Sequence, residues 1–217
     1  MKLMVSPQVR EAFPKLSVLA TIARNVKVRG VDDELRAFIE RGLEEVRERY
    51  GGDPSRIRSL PSLRIYDDLL KRTGEDKIRS SVESMIRRLS RGDPFPSINN
   101  VVDLCNLVLV QTLVAVGAFD LDKLEGDVVL RLGEKGDKIT EIGRTEPREL
   151  IGGEVVLGDG KGVFSIITYR DSDRTRITQS TRSVLLFTAA DSEERVREAA
   201  RTLRVYLEKF CGGRVDA

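Results

Sequence analysis

Apolar residues recur at helical spacing in several segments of the chain, and polar residues suited to helix capping precede most of these segments. Side chains three and four positions apart share one face of a helix, so this spacing predicts helices that bury one face. The predicted helices are a short turn after Ser6 with Pro7 at its first position, Asp32 or Asp33 to Tyr50, Arg64 to Lys71, Ser81 to Ser90 after a Ser80 or Ser81 cap, Asn99 to Val116, and Ser192 to Phe210 with Asp191 and Glu194 as a capping box.

Runs rich in β-branched residues, bounded by turn-forming residues, predict strands. These runs are Lys2 to Val5, Leu16 to Ile22, Asp127 to Leu132, Glu154 to Leu157, Val163 to Arg170 and Ser183 to Thr188. Helices come early and late, with a strand-rich stretch between them. Because strands and helices do not alternate regularly, the pattern predicts an α+β fold with layered helices and mixed sheets.

The predicted helix from Asn99 to Val116 carries a polar stripe on an otherwise apolar surface. Asn99, Asp103 and Asn106 lie three and four positions apart and therefore share a face. Burying a carboxylate and two amides without partners costs about 2 kcal/mol or more for each group. The stripe is either a structural hydrogen-bond network or the wall of a polar pocket.

The segment from Arg170 to Thr178 is dense in charges and hydroxyls. In an extended strand, Asp173 and Thr175 would point to one side, and Arg174 and Arg176 to the other. A carboxylate beside a hydroxyl can hold a water molecule or an amino group. The alternative is a solvated loop rich in turn-forming residues.

Three arginines, Arg87, Arg88 and Arg91, cluster near the end of a predicted helix. They either contact phosphates or form a solvated face, since helix C-termini favour cations in any case. The glycine pairs at Gly152-Gly153 and Gly158-Asp159-Gly160 match no phosphate-binding loop, because neither follows a strand with the required spacing and opens a helix. They predict tight turns.

The chain contains no histidine. This excludes Ser-His-Asp and Cys-His catalysis, an imidazole general base and zinc bound through histidine. Any catalysis must use carboxylates, hydroxyls, lysines, backbone groups or the substrate itself, and we predict neither a metal nor another cofactor. The 37 Lys and Arg residues nearly balance the 35 Asp and Glu residues, which argues against a strong non-specific coat of nucleic acid but permits a local basic patch.

The 217 residues, 40% of them hydrophobic, suffice for a substantial core, and we expect residues 1–217 to form one globular unit. Cys105 and Cys211 suggest no disulfide framework, so a cytoplasmic location is expected. The N-terminus is too short and too polar for a signal peptide. No apolar run of about 18 uncharged residues is present, so we expect a soluble protein with no membrane partner.

Four runs give a more specific signal. They are Pro96 to Asn106 (PSINNVVDLCN), Ala118 to Arg131 (AFDLDKLEGDVVLR), Gly153 to Val156 (GEVV) and Thr178 to Leu186 (TQSTRSVLL). In order and spacing they resemble the editing domain of the phenylalanyl-tRNA synthetase beta subunit, called the B-three/four domain, across roughly residues 64–190. The chain is far too short for a synthetase beta subunit and looks like a free-standing version of this domain. Residues 1–63, with N-terminal strands and a helix, are expected to complete the same domain.

This resemblance implies the α+β fold of that editing domain and a tRNA partner bound through its 3′ aminoacyl end. In the synthetase, the domain hydrolyses the ester of tRNA(Phe) mischarged with tyrosine. Asn99, Asn100, Asp103 and Asn106 match the family's Asn-Asn-x-x-Asp-x-x-Asn core. The predicted site comprises Asn99, Asn100, Asp103, Asn106, Glu154 and Thr178 for substrate binding, Asp173 and Thr175 for catalysis, and Arg87, Arg88, Arg174 and Arg176 for RNA contacts.

Asp173 and Thr175 fall where archaeal-type domains carry an Asp-x-Thr or Asp-x-Ser pair that lines the editing pocket. Bacterial-type domains carry a His where this chain has Gly117, and a Glu where it has Phe187. Both bacterial-type catalytic side chains are therefore missing. Either the pocket works in the archaeal manner or it is not hydrolytic.

Two functions follow from this pattern. The first is a trans-acting aminoacyl-tRNA deacylase, in which Asp173 orients the water, Thr175 and backbone N–H groups hold the substrate, and the 2′-hydroxyl of the terminal ribose assists. The alternative is a noncatalytic binding module for an amino acid, a nucleotide or RNA.

Overall fold

The structure, a computed structural model, describes residues 1–51, 57, 59–73 and 78–216. Its helices follow the predicted apolar periods closely. The α-helices are α1 (Pro7–Ala12), α2 (Asp33–Tyr50), α3 (Arg64–Leu70), α4 (Ser81–Ser90), α5 (Asn100–Thr112) and α6 (Glu193–Phe210). Short 3-10 helices form at Pro61–Leu63, Lys71–Thr73, Leu121–Lys123 and Asp173–Thr175.

The strands form two larger sheets and a small ribbon. In chain order they are β1 (Leu3–Val5), β2 (Ser17–Arg24), β3 (Ala115–Asp120), β4 (Val128–Leu132), β5 (Lys138–Ile139), β6 (Arg148–Glu149), β7 (Val155–Asp159), β8 (Gly162–Ile166), β9 (Arg170–Asp171), β10 (Ser183–Ala190) and β11 (Arg214–Val215). One sheet has the order β1-β4-β7-β8-β9 and the other β11-β2-β10-β3, while β5 pairs with β6. Strand β1 runs parallel to β4, and the other pairs are antiparallel. The predicted α+β class with mixed sheets is confirmed.

Strand β10 and helix α5 form the centre of the hydrophobic core. Strand β10 is buried from Val184 to Ala190 and pairs with β2 on one side and β3 on the other. Helix α5 packs against α2, α6 and β3, which explains why apolar residues cover most of its circumference. The N-terminal segment contributes a strand to each larger sheet, since β1 pairs with β4 and β2 pairs with β10.

Side-chain caps confirm several predicted helix starts. The hydroxyls of Ser6 and Ser80 each accept a hydrogen bond from the backbone N–H three residues later, and the Asp32 carboxylate does the same at the start of α2. Pro7 occupies the first position of α1, where its missing N–H has no intrahelical partner to lose. These starts depend on local sequence alone, which is why they could be predicted.

The predicted capping box at the last helix is wrong. Ser192, not Asp191, is the N-cap of α6, and its hydroxyl accepts a hydrogen bond from the Arg195 N–H. The Asp191 carboxylate instead pairs with the Arg195 guanidinium, one helical turn away. The Asp191 carboxylate therefore forms an ion pair and does not cap the helix, and Glu194 is not part of a capping box.

Helix α5 ends at Thr112 and not at the predicted Val116. Leu113 adopts a left-handed conformation with φ of 54°, which stops the helix. The Thr112 hydroxyl donates to the Val108 carbonyl and accepts from the Val114 N–H, so it satisfies groups freed at the helix end. Strand β3, absent from the predicted strands, begins directly afterwards because this segment pairs with the buried strand β10.

Of the two alternatives for the segment around Asp173 and Thr175, the extended strand is wrong and a turn forms, although Thr175 is buried and not solvated. Strand β9 is limited to Arg170–Asp171, and the next residues form a 3-10 turn. The Ser172 hydroxyl caps this turn by accepting a hydrogen bond from the Arg174 N–H. Because the backbone winds here, Asp173 and Thr175 do not share one face of a strand.

Two further boundaries differ from the predictions. Strand β8 ends at Ile166, so the segment predicted as one strand up to Arg170 is two short strands separated by a turn. Strand β7 continues through Gly158 and Asp159, and the hairpin turn is formed by Gly160 and Lys161.

Gly42, in the middle of α2, lies at a close approach between helices. A Cβ at this position would lie 2.8 Å from the Gln111 Nε2 and 3.1 Å from a methyl carbon of Leu107, both on α5. The low helix propensity of glycine is therefore offset by the tight packing of α2 on α5.

Most of the predicted connection from Gly51 to Pro61 lies outside the described residues. Over the described ranges, no helix is both long enough and apolar enough to cross a membrane.

Candidate functional site

A cleft with two chambers opens between α5, β3 and the segment around β9. The larger chamber has a volume of about 340 Å³ and the smaller chamber about 140 Å³. The larger chamber is lined by Ile98, Val102, Cys105, Asn106, Val116, Gly117, Ala118, Phe119, Ile142, Asp171, Ser172, Thr175, Arg176, Ile177 and Thr178. The smaller chamber is lined by Ser81, Asn106, Leu109, Ala115, Val116, Gly117, Phe119, Ser165, Ile167, Thr168, Tyr169, Arg170, Asp171 and Phe187.

Asn106 and Asp171 are the polar side chains that line both chambers. Asn106 lies on α5 and is partly buried, and its amide forms no side-chain hydrogen bond to any other described residue. Asp171 lies at the end of β9, opposite Ser165 of β8, whose hydroxyl bonds to its carboxylate. The boundary shared by the two chambers therefore carries one carboxylate, which is bonded to Ser165, and one amide without a side-chain partner among the described residues.

Burial raises the pKa of Asp171 to about 6, and the hydrogen bond from Ser165 only partly offsets this shift. Asp171 is therefore mostly ionised at neutral pH but more basic than an exposed carboxylate. Burial also raises the pKa of the Cys105 thiol, which lines the larger chamber. Cys105 consequently stays protonated and is a poor nucleophile.

The polar stripe on α5 is in part a structural hydrogen-bond network and in part the wall of a pocket. Asn99 is the N-cap of α5 and accepts a hydrogen bond of 2.9 Å from the Val102 N–H. The Asp103 carboxylate accepts from the Ile98 N–H at 3.0 Å and is 1% exposed, and burial raises its pKa to about 6. Neither side chain lines the cleft. They brace the helix start, whereas Asn106 faces the cavity.

Asn100, also predicted to bind substrate, connects three distant segments and is fully buried. Its Nδ2 donates to the Lys27 carbonyl at 2.8 Å and to the Phe210 carbonyl at 3.4 Å. Its Oδ1 accepts from the Arg29 N–H at 3.0 Å. These bonds place Asn100 in the framework behind the cleft.

The two predicted catalytic residues are separated by the 3-10 turn. Thr175 lines the larger chamber, and its hydroxyl donates weakly to the Ser172 carbonyl at 3.4 Å. Asp173 does not line either chamber, and its carboxylate pairs with Arg176 at 3.1 Å. Arg176 itself lines the larger chamber and is exposed.

The two remaining predicted substrate-binding residues lie in different places. Thr178 lines the larger chamber, and its hydroxyl contacts that of Ser180 at 2.8 Å. Glu154 is fully buried away from both chambers. Its two carboxylate oxygens accept hydrogen bonds from the N–H groups of Ile151 and Gly152, so it fixes the turn before β7.

Three of the four predicted RNA-contacting arginines are held by protein groups outside the cleft. Arg87 donates to Glu83 at 2.6 Å, and Arg88 donates to the Pro94 carbonyl. Arg174 forms a two-bond ion pair with a carboxylate, as its Nη atoms lie 2.9 and 3.0 Å from the oxygens of Asp159. Arg176 is the predicted arginine that the structure places at the cavity.

Gly117 and Phe187, where the family resemblance implies His and Glu in bacterial-type domains, face each other across β3 and β10. Both line the smaller chamber. A Cβ at Gly117 would lie 2.9 Å from ring carbons of Phe119, so the packing in this chain leaves no room for a larger side chain without rearrangement. Gly117 and Phe187 thus form an apolar surface where the resemblance implies a His and a Glu side chain.

Asp171 is a cavity residue that the sequence pattern does not identify. It belongs to the charged segment from Arg170 to Thr178, in which the spacing of Asp173 and Thr175 favours Asp173 instead. Whether Asp171 or Asp173 lies at the cavity depends on the residue at which β9 ends. The pairing of β9 with β8 sets that residue. Only that pairing identifies the carboxylate at the cavity.

The structure is an α+β domain in which a central buried helix and the end of a sheet enclose a cavity with both polar and apolar walls. A model of the B3/4 domain matches residues 66–209, more than half of the chain. The chain belongs to the B3/4 domain family.

Beta subunits of phenylalanine–tRNA ligase are similar in sequence to part of this chain. The subunit of Fusobacterium nucleatum is 32% identical over 111 residues, which are 51% of this chain and 14% of that protein. The subunit of Aquifex aeolicus is 34% identical over 112 residues, which are 52% of this chain and 14% of that protein. The chain thus matches about one seventh of the length of these relatives.

A solved structure has a fold similar to that of this chain. An N-terminal fragment of the phenylalanyl-tRNA synthetase beta subunit from Pyrococcus horikoshii superposes with a TM-score of 0.55 at 16% sequence identity. The superposition covers 99% of this chain and 50% of the fragment. The similarity therefore extends over the N-terminal strands as well as the part matched by the domain family.

Proposed function

We propose that this chain binds the 3′ end of an aminoacyl-tRNA and hydrolyses its ester bond, acting in trans on tRNA that carries the wrong amino acid. The observation that carries this proposal is the convergence of Asn106 and Asp171 on the junction of the two chambers. The sequence similarity to synthetase beta subunits supports a tRNA substrate.

The chemistry of ester hydrolysis fits the groups at the junction. Ester hydrolysis needs an activated water and a stabilised oxyanion. A carboxylate with a pKa near 6 can accept a proton from an attacking water at neutral pH, and Asp171 is such a group. The Asn106 amide supplies N–H donors for the carbonyl oxygen as negative charge develops there.

The proposed reaction balances with these two side chains. The water oxygen attacks the ester carbonyl carbon while Asp171 takes one of its protons. The bond between the carbonyl carbon and the ribose oxygen then breaks, and the proton held by Asp171 passes to that oxygen. The products are a free amino acid and a tRNA with an intact terminal ribose.

The larger chamber suits the terminal nucleoside of the tRNA. Its walls include the apolar side chains Ile98, Val102 and Ile177, against which a base can pack. Arg176 lines this chamber and is exposed, although Asp173 partly neutralises it. A phosphate approaching Arg176 would compete with Asp173, so the RNA contact at this point is modest in strength.

A noncatalytic binding module is the second candidate. It is favoured by the apolar pair Gly117 and Phe187 at the smaller chamber and by the absence of histidine from the chain. In that case the cleft would hold an amino acid, a nucleotide or an RNA end without breaking a bond.

Deacylation assays with a panel of mischarged tRNAs test the proposal and separate the two candidates. We expect the protein to release the amino acid from at least one of them faster than buffer does. A hydrolase should show turnover at substoichiometric enzyme. Thermal shift with free amino acids and with uncharged tRNA is the companion measurement. A stabilised protein that cleaves no ester would support the binding module and reject the hydrolase.

A further inference from the structure

Strand β2 has an open edge over most of its length. On one side it pairs with β10 along its whole length. On its other side, β11 pairs with Ala23 and Arg24, and the Asp216 N–H donates one further bond to the Ile22 carbonyl. Over residues 17–21, no described part of the chain pairs with this side of the strand.

The open edge presents backbone hydrogen-bonding groups. The bond from Asp216 shows that the Ile22 carbonyl faces the side of β11. Because backbone groups alternate in direction along a strand, Val18 and Ala20 direct their N–H and C=O groups to the same side. Neither residue forms a backbone bond there with any described residue. Two N–H and two C=O groups are therefore left for an added strand.

The amino-acid sequence leaves this edge unprotected. Residues 17–23 (SVLATIA) contain no charged residue and no proline, and β2 keeps an unbroken register with β10. Exposed edge strands usually carry a charge, a proline or a bulge, because unpaired backbone groups are a template for pairing with another chain. The absence of these devices from residues 17–23 indicates that the edge accepts a partner strand.

A groove runs beside the open edge. Two cavities of about 270 and 230 Å³ share Leu19 and Arg197 in their walls, so together they form one groove between β2 and a face of α6, called here the β2 groove. Its apolar lining includes Val196, Ala200 and Val215. Since side chains alternate between the two faces of a strand, every second side chain of an added strand would point towards this groove.

Arginines predominate among the charged side chains of the β2 groove. Its charged lining residues are Arg10, Arg197, Arg201, Arg204, Glu193 and Asp216. Glu193 is paired with Arg197 at 2.6 Å, and Asp216 is paired with a further arginine at 3.7 Å. Arg201 is exposed and forms no ion pair with another described residue. The groove therefore has an excess of positive charge and favours an acidic occupant.

We propose that the open edge of β2 is a docking site for an extended acidic segment of a partner protein, which adds an antiparallel strand in line with β11. A second copy of this chain, paired β2 to β2 about a two-fold axis, would bring the same arginines towards each other. An RNA backbone cannot exchange N–H and C=O bonds with the edge, and the edge carbonyls would face its phosphates. The β2 groove shares no lining residue with the cleft, so docking is independent of the proposed hydrolysis.

The test uses a labelled peptide, acetyl-Glu-Thr-Val-Thr-Val-Thr-Glu-amide, and fluorescence anisotropy gives its Kd. Glutamates and valines alternate with threonines, so that one face of the added strand can meet the groove. We expect the same peptide with lysines in place of glutamates to bind at least about fivefold more weakly.

Single N-methyl groups test the strand pairing. In an antiparallel pair, directly opposed residues place their side chains on the same face. The peptide residues opposite Val18 and Ala20 are therefore the threonines, whose N–H groups point at β2. N-methylation of the central threonine should weaken binding about tenfold, because a bond is lost and a methyl group meets the edge. N-methylation of an adjacent valine is the matched control and should change the Kd by less than about twofold.

Protein variants and amide exchange complete the test. Arg201→Glu should weaken binding of the acidic peptide at least about fivefold, whereas Arg41→Glu, at an exposed position of α2, should keep the Kd within about twofold. Ala20→Pro removes an N–H on the open side and leaves the ladder with β10 intact, so it should abolish binding. In the unmodified protein, the peptide should slow amide exchange at Val18 and Ala20 but not at Leu19, whose N–H faces β10.

Several results would overturn the proposal. They are no binding of the acidic peptide, equal effects of the two N-methyl groups, and unchanged exchange at Val18 and Ala20. A dimer in sedimentation that Ala20→Pro disperses would assign the edge to a second copy of the chain. Displacement of the peptide by a single-stranded RNA, with exchange at Val18 and Ala20 unaffected, would assign the arginines to RNA.

Discussion

Asn106 on α5 and Asp171 at the end of β9 meet at the junction between the two chambers, although the chain between them forms most of the sheet that carries β9. Their meeting gives the cavity an amide and a carboxylate in one place. Burial raises the pKa of Asp171 to about 6, so the charge at this place changes between mildly acidic and neutral pH.

The first prediction concerns the pH dependence of deacylation. If the Asp171 carboxylate must be ionised to accept a proton from water, kcat/KM should rise with pH through about 6 and level off above it. The measurement is kcat/KM between pH 4.5 and 8, after subtraction of the rate in buffer. A profile without a rise near pH 6 would contradict the role of Asp171.

The second prediction concerns stability. Burial raises the pKa of Asp103 to about 6 from 3.8, so the folded protein holds a proton that the unfolded chain releases at lower pH. Stability contributed by protonated Asp103 is complete below pH 3.8 and is lost as the pH rises towards 6. The loss amounts to at most about 3 kcal/mol.

The variant Asp103→Asn tests this sign. It cannot ionise, and its Oδ1 can still accept the hydrogen bond from the Ile98 N–H. Urea denaturation should show a smaller fall in the free energy of unfolding between pH 4 and 6 than in the unmodified protein. The exposed control Asp122→Asn should leave the fall unchanged. An equal fall in Asp103→Asn would contradict the prediction.

The third prediction separates two neighbouring arginines. Burial would raise the pKa of Asp159, but the Arg174 guanidinium, helped by the N–H groups of Glu125 and Lys161, holds it below its usual value. Arg174→Ala should therefore destabilise the fold by about 2–3 kcal/mol, because it leaves a buried carboxylate without its cation. Arg176→Ala should change stability by less than about 1 kcal/mol, since its ion pair is exposed.

The same pair of variants should behave differently towards RNA. Arg176→Ala should weaken tRNA binding and make the affinity less dependent on salt, because one phosphate contact is lost. Denaturation curves and tRNA titrations at two salt concentrations check both properties. Equal effects of the two variants on stability would show that the assignment of their roles is wrong.

The fourth prediction concerns the contact between α2 and α5. A leucine at Gly42 would have to displace Gln111 and Leu107, because even a Cβ lies 2.8 and 3.1 Å from their side chains. Gly42→Leu should lower the free energy of unfolding by about 1–3 kcal/mol despite the better helix propensity of leucine. Glu44→Leu, at an exposed position of the same helix, is the control and should be nearly neutral. A stable Gly42→Leu variant would argue against the close approach.

Several helix starts could be predicted from the sequence because they depend on local signals. Ser6 and Ser80 lie directly before the helices that they cap. The end of α5 could not be predicted in this way. Its apolar pattern continues into β3, so periodicity does not mark the left-handed Leu113 at which the helix stops or the strand that pairs with β10.

The candidate site was predictable in part for the same reason. Helical spacing placed Asn99, Asp103 and Asn106 on one face. Which of these side chains has a hydrogen-bond partner within the protein depends on the fold. For example, the Ile98 N–H donates to the Asp103 carboxylate. The choice between Asp171 and Asp173 likewise depends on the end of β9, which sequence spacing does not reveal.

The most direct test of the account compares two carboxylates that are two positions apart. Single-turnover deacylation of a mischarged tRNA that the unmodified protein cleaves should be at least about 100-fold slower in Asp171→Asn, as expected when a general base is removed. Asp173→Asn, altered outside the cleft, should retain a rate within about threefold of the unmodified protein. If Asp171→Asn cleaves as fast as the unmodified protein, the cleft between α5 and β9 is not the site of hydrolysis.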